Sequence, residues 1–223
     1  MDSTQKPITN SKTSSLQSSY DRVAETYAQR FHDEPSRKPF DRLMLNWLVE
    51  KVGGSGMICD LGCGPGQITR YLHDRGASVC GIDLSAGMVE QARLASPDIP
   101  FEQGDMCDLS GVADGSFGGI AAFYSIIHVP PERLPEAFSE MRRVLKSGGL
   151  LLMTFHIGDE VRHLEEWWGE AVSLDFYFYE REPIKMHLKN AGFMIEEALE
   201  RDPYPEQIEV QTRRAYLLAR KPE

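Results

Sequence analysis

Asp60-Leu61-Gly62-Cys63-Gly64-Pro65-Gly66 is the stretch on which the fold turns. It begins inside the apolar run Met57 to Leu61, which reads as a short buried strand. It then leads into Gln67 to Asp74, whose pattern is helical. Glycines at such a junction let the chain turn tightly and bring its backbone against a ligand with no Cβ in the way. The helix start beyond them offers unpaired N–H groups to a polar or negatively charged ligand part. Asp83 stands 17 residues after Gly66, near the end of the next expected strand, Ser78 to Ile82. An acid there can accept hydrogen bonds from ribose hydroxyls.

Outward from this core the alternation continues. Ala86 to Ala95 reads as a helix, Ile99 to Glu102 as a short strand, and Phe117 to Ile127 contains another. Glu132 to Leu145 is helical, and Gly148-Gly149 precedes a buried strand, Leu150 to Phe155. Strands separated by helices of about ten residues indicate a parallel sheet covered on both faces. Val172, Leu174, Phe176 and Phe178 alternate with polar or aromatic neighbours, a period-2 strand pattern. Glu182 to Ala191 reads as a helix, and Phe193 to Leu199 and Glu209 to Ala219 as a final pair of strands.

Upstream, Tyr20, Val23, Ala24, Tyr27 and Phe31 recur at helical spacing. Lys38 to Val52 forms a second helix with Phe40, Leu43, Met44, Trp47 and Leu48 on one face. Residues 1–17 are rich in Ser, Thr, Gln and Lys and are expected to be a disordered tail, too poor in apolar surface to offset their ordering entropy. The expected organisation is therefore that tail and a single domain over 18–223. Within the domain, 18–52 form a helical lid or flap and 158–180 an insertion on the substrate side.

The 223 residues carry 24 Lys+Arg against 34 Asp+Glu, a formal net charge of −10. Phosphate contacts supply most nucleic-acid affinity, so this balance argues against DNA or RNA as partner. No apolar run approaches the roughly 20 residues of a membrane span. The start, MDSTQKPITNSKTSS, shows no apolar signal region, so the expected location is cytoplasmic. Cys59, Cys63, Cys80 and Cys107 form no CxxC pair and are expected to be reduced and mostly buried. His156, Glu160 and His163 lack the close pairing of a metal motif, so no metal is expected.

The turn has its glycines at 62, 64 and 66, G-x-G-x-G, with an acid two positions earlier. A dinucleotide fingerprint is spaced G-x-G-x-x-G, and Asp60 suits an amino group better than a pyrophosphate. From Tyr20 to Arg220 the chain resembles the class I S-adenosylmethionine-dependent methyltransferases, in their small-molecule branch. Asp60 to Gly66 matches that family's first motif, Gly81-Ile82-Asp83-Leu84-Ser85 its second and Gly104-Asp105-Met106 its third. Leu145-Lys146-Ser147-Gly148-Gly149 matches its entry to the fifth strand. The resemblance implies a Rossmann-like seven-stranded α/β sheet with helices on both faces, order 3-2-1-4-5-7-6, the last strand antiparallel, and an N-terminal helical lid.

It also implies S-adenosyl-L-methionine as cofactor, with S-adenosyl-L-homocysteine as product. Asp60, Gly62, Cys63, Gly64 and Gly66 would hold the methionine end and Asp83 the ribose. Leu84 and Met88 would flank the adenine, and Asp105 with the Met106 backbone would bond it. Tyr20 and Tyr27 would pack over the methionine chain, where an aromatic face suits a sulfonium cation. Tyr124 would lie beside the cofactor at the end of the fourth strand. His128, close behind it, is the candidate base, since imidazole titrates near physiological pH; the other reading is a structural histidine. His156, His163, Trp167, Tyr177 and Tyr179 are the expected acceptor pocket, or alternatively core or a dimer contact.

Val129-Pro130-Pro131-Glu132 departs from the [Asn/Asp]-Pro-Pro-aromatic signature of methyltransferases acting on bases or glutamine. A small-molecule acceptor therefore remains, with O, N, C or S as the methylated atom, in a monomer or homodimer. The competing functions are a cofactor-binding sensor that does not methylate and a related enzyme with decarboxylase or cyclase chemistry.

Overall fold

The computed structural model describes residues 9–223, with side chains from Thr13 onward. Three helices come first: α1 (Thr9–Phe31), α2 (Glu34–Arg37) and α3 (Pro39–Val52). Strands and helices then alternate through β1 (Met57–Leu61), α4 (Gln67–Asp74), β2 (Val79–Asp83), α5 (Ala86–Ala95), β3 (Phe101–Gln103) and β4 (Phe117–Phe123). Two 3₁₀ turns, Ile126–His128 and Pro131–Arg133, lead to α6 (Leu134–Val144) and β5 (Leu145–His156). A hairpin of β6 (Val161–Trp167) and β7 (Glu170–Tyr177) precedes α7 (Arg181–Asn190), β8 (Met194–Arg201) and β9 (Arg214–Arg220).

The main sheet has seven strands in the order β3-β2-β1-β4-β5-β9-β8, and β6-β7 form a separate two-stranded sheet. With the hairpin set aside, this is the expected order. The strands from β1 to β5 pair in parallel, and β9 lies antiparallel to both β5 and β8. Period-2 alternation sorts the core into two layers. Ile120, Ala122, Leu151, Met153, Leu217 and Ala219 face α6 and α7; Ala121, Leu150, Leu152, Tyr216 and Leu218 face α3, α4 and α5. Each such fully buried Leu, Ile or Met side chain contributes about 1.5–3 kcal/mol. The parallel strands all point their C-terminal ends one way, and the cavity described below opens there.

Several boundaries differ from the sequence expectation. Residues 1–8 of the expected tail lie outside the described residues, but the stretch from Thr9 is helix, continuous with α1. Its physical support comes from the hairpin: Leu16 packs with Val23, Val172 and Leu174, and Ser15 Oγ donates to the Ser173 carbonyl at 3.5 Å. The expected lid over 18–52 divides, because α3 belongs to the core layer beneath the sheet. On α3 the buried face is Asp41, Met44, Leu45, Leu48 and Val52, and Leu43 is 59% exposed. The final strand is shorter than expected: 209–213 form loop, held by Glu209. The strand read at Val172–Phe178 has an antiparallel partner, β6, that the sequence did not disclose.

Candidate functional site

At the C-terminal ends of β1, β2, β4 and β5 lies a cavity of about 1140 Å³, roofed by α1, the β6-β7 hairpin and the loop around Glu206 to Val210. Its inner wall is the glycine turn. Gly62 has φ 76°, and a Cβ there would stand 2.3 Å from Ser125 Cβ, so turn and β4 approach more closely than any side chain permits. Gly64 has open space before it: a Cβ would meet only Gln67 Oε1, at 4.0 Å. The Gly64 N–H donates to Asp83 Oδ2 at 2.8 Å, and the Ser85 N–H to Asp83 Oδ1 at 2.9 Å. Burial raises the Asp83 carboxyl above its ordinary range, while those two donors oppose the shift.

Asp60, 1% exposed, accepts from the Thr69 hydroxyl at 2.6 Å. Burial pushes its pKa up to about 7; Thr69 holds it down and the Asp83 charge adds to the rise. Ser125 Oγ and Gln67 Oε1 also line this wall, buried and without a hydrogen-bond partner among the described residues. A buried and a half-buried carboxylate and two unsatisfied polar atoms around a glycine turn call for a polar ligand bearing positive charge. At the other end of this wall Asp105 accepts from the Cys107 N–H at 2.8 Å and from Arg133 at 3.4 Å.

The roof is pinned in place. Asp21 on α1 accepts from the Ser85 hydroxyl at 2.6 Å and the Gly87 N–H at 2.9 Å, joining α1 to the start of α5. Tyr20 meets Tyr27 edge-on at 6.2 Å between ring centroids, and Trp167 lies edge-on to both. Trp167 stacks on Trp168 at 4.5 Å. Trp168 (φ 56°) and Gly169 (φ 88°) form the hairpin turn. Two positive φ values give a turn whose twist matches its strands.

His128 sits between roof and wall. Its Nδ1 is 2.9 Å from the Asp175 carbonyl oxygen, which can only accept, so Nδ1 carries the proton. Nε2 therefore accepts from the Tyr20 hydroxyl, 2.6 Å away. Burial pushes the imidazole down to about 4, with Asp175 opposing, so the ring is neutral and its one lone pair is engaged.

The far end of the cavity is charged. Tyr124, at φ 52°, is a bulky residue in the left-handed region, and Lys38 Nζ lies 4.7 Å from its ring centroid. Lys38 pairs with Glu34 at 2.7 Å and with Glu209 at 3.7 Å. His156 takes Thr212 Oγ1 as partner at 2.7 Å; burial, then the nearby Arg214 and Lys38 charges, push it down to about 3.

Most of the residues singled out from sequence line this one cavity. Asp60, Gly62, Cys63, Gly64, Asp83 and Leu84 lie on the turn side, with Met88, Asp105 and Met106 beyond them. Tyr20, Tyr27, Tyr124, His128, His156, His163, Trp167 and Tyr177 line the rest of it. Two do not line it. Gly66 closes the turn against the core, where a Cβ would stand 2.9 Å from the Phe101 ring. Tyr179 is buried behind the wall, its hydroxyl donating to the Val129 carbonyl. Sequence reading missed Asp21, Lys38, Asp41, Glu209 and Arg214. For Asp41 a signal existed: it stands three, four and seven residues before Met44, Leu45 and Leu48, on the apolar face of α3.

Comparison with known proteins follows the same lines. A family profile described as a methyltransferase domain matches residues 58–149. A malonyl-[acyl-carrier protein] O-methyltransferase from Enterobacter lignolyticus is 30% identical over 149 residues, covering 67% of this chain and 56% of that protein. A demethylmenaquinone methyltransferase from Beutenbergia cavernae is 33% identical over 115 residues, 51% of this chain and 47% of that one. The chain thus spans about half the length of the curated relatives it matches. Among solved structures, the Burkholderia thailandensis 1,6-didemethyltoxoflavin-N1-methyltransferase with bound 1,6-didemethyltoxoflavin and S-adenosylhomocysteine superposes with a TM-score of 0.74. It shares 16% identity, with 100% of this chain and 94% of that one covered, a likeness of fold.

Proposed function

We propose that this chain, which belongs to the class I S-adenosylmethionine-dependent methyltransferases, moves the methyl group of that cofactor to a small-molecule acceptor held in the remainder of the cavity. The observation that carries the reading is the Asp60–Gly64–Asp83 corner. It sets one buried and one half-buried carboxylate on the two sides of an open glycine turn, with Ser125 and Gln67 unsatisfied beside it. Those residues fit a ligand with an ammonium group and vicinal hydroxyls. Asp60 would take the ammonium and Asp83 the ribose, while Leu84, Met88, Asp105 and Met106 would flank the adenine.

When bound, S-adenosylmethionine supplies a methyl carbon already activated by its positively charged sulfur. The chain's task is then to align an acceptor, exclude water and give any acceptor proton somewhere to go. Tyr20, Tyr27 and Trp167 present aromatic surface above the cavity, which suits a cation and keeps water out. A cavity of about 1140 Å³ exceeds the ~300–1,000 Å³ usual for one small ligand and leaves room for an acceptor beside the cofactor. His156, His163, Trp167 and Tyr177 would line that acceptor space. We place this activity in the cytoplasm, in a monomer or homodimer.

Isothermal titration with S-adenosylmethionine and S-adenosylhomocysteine tests the cofactor, and an acceptor-library screen with mass detection tests the transfer. Saturable binding of both, with one product heavier by a methyl group, is expected. Cofactor binding without any methylated product would favour a sensor. Micromolar binding of nicotinamide dinucleotides in place of S-adenosylmethionine would overturn the reading.

A further inference from the structure

Three histidines line the cavity, and their partners give them different capacities. The His128 lone pair is occupied by the Tyr20 hydroxyl, and burial pushes that ring down to about 4. His156 is buried beside Arg214 and Lys38 and pushed down to about 3. Neither is equipped to take up a proton near neutral pH. His163 has different surroundings. It stands on β6 directly across from Asp175 on β7, its side chain is 44% exposed, and its Nδ1 lies 2.7 Å from Asp175 Oδ1. A carboxylate can only accept, so it fixes the proton on Nδ1, and Nε2 is not used by that bond. Asp175 thereby serves two rings at once: its backbone carbonyl holds His128 and its carboxylate holds His163.

We propose that His163, oriented by Asp175, is the general base of the site, receiving the proton of a hydroxyl or other protonated acceptor. The assignment rests on the methyl-transfer reading above. As the acceptor atom forms its bond to the methyl carbon and the carbon–sulfur bond breaks, the acceptor's proton passes to His163 Nε2. The carbon–sulfur electron pair remains on sulfur, which becomes neutral, and the imidazolium so formed lies against the Asp175 carboxylate. Its exposure lets the proton leave to water before the next turnover. Asp175 is a positioning residue and does not itself touch the acceptor. The other charged or titratable groups around His163 are Tyr177, whose hydroxyl reaches Asp175 Oδ2 at 3.5 Å, and Arg162, tied to Glu160 at 2.9 Å; Glu132 and Arg133 share the cavity wall.

The experiment uses the full chain and the acceptor returned by the library screen. His163→Gln should lower kcat by about 10²–10⁴-fold with KM and S-adenosylhomocysteine affinity within about twofold of the parent. Free imidazole should restore turnover to His163→Ala in proportion to its concentration. Asp175→Ala, which keeps the backbone carbonyl and so leaves His128 in place, should lower kcat and remove the downfield Nδ1–H proton resonance of His163. Unchanged kcat in a folded His163→Gln, or an absent imidazole effect, overturns the assignment. Persistence of that resonance in Asp175→Ala overturns the role of Asp175. A parent that binds no S-adenosylmethionine would instead sink the methyl-transfer reading.

Discussion

Each oxygen of Asp83 already holds one backbone donor, and its remaining lone pairs face the cavity. Asp83→Ala should therefore weaken cofactor binding by about 1.5–3 kcal/mol, the range for hydrogen bonds to a charged group. Calorimetry that finds affinity within twofold of the parent would defeat the ribose assignment. Asp60 predicts a pH dependence of definite sign. Its carboxyl titrates at about 7 in the free protein, and a cationic amino group binds only the ionised form. Cofactor affinity should rise from pH 5 through about pH 7 and level off above it, and Asp60→Asn should flatten the curve. These two acids were legible in the sequence because strand, glycine turn and acid lie within 24 residues of chain, 60–83. Asp21 was not, because what makes it structural is a bond to Ser85, 64 residues away.

Among the elements, α1 and the hairpin depend on each other. Val23 and Ala24 pack against Val172 and Leu174, the Ser173 N–H donates to Ser19 Oγ at 2.9 Å, and Arg22 donates to the Ala171 carbonyl at 2.8 Å. Deleting residues 1–31 should strip this roof, loosen cofactor binding and abolish turnover, while circular dichroism still reports the folded sheet. Unchanged turnover in that truncated protein would reduce the tyrosines to packing. Tyr20→Phe is the finer test. It keeps the ring but leaves buried His128 Nε2 without a partner, and should cost about 1–3 kcal/mol of stability in chemical denaturation. The main sheet was readable because β4, β5 and β9 are apolar runs or clean alternations. β6, Val161–Trp167, carries four polar residues of seven and faces solvent along most of its length, so no burial pattern announced it. The tail boundary failed for the same reason: the apolar partner of Leu16 is β7, which lies more than 150 residues further along the chain.

Across the whole molecule, Glu209 joins distant parts of the chain. Arg201 of β8 bonds both its oxygens, one of them at 3.0 Å, the Tyr204 N–H donates to it at 2.7 Å, and Lys38 lies 3.7 Å away. Arg201 also reaches Asp41 of α3, which accepts from the Tyr216 hydroxyl of β9. Removing one partner of a buried ion pair leaves the other uncompensated, so Glu209→Ala should destabilise by about 3–5 kcal/mol in urea unfolding. Burial would raise the Glu209 carboxyl, but Arg201, the Tyr204 N–H and Arg214 pull it down to about 2. A depressed carboxyl stabilises above its ordinary pKa, so this contribution should fade as pH falls from about 4.5 toward 2 and be flat above. Apart from Asp41 on the apolar face of α3, the network did not show in the sequence, where its other charged residues looked like ordinary surface.

The stacked Trp167–Trp168 pair has a practical consequence. The chain has three tryptophans, and two of them lie where the first helix meets the hairpin, with Tyr27 and Phe31 against them and Arg30 4.9 Å above the Trp168 ring. The third, Trp47, is on α3, outside that junction. In a Trp47→Phe protein, all intrinsic indole fluorescence would originate at this junction. The response of this junction to cofactor binding could then be timed by stopped flow, with no dye attached and no acceptor identified.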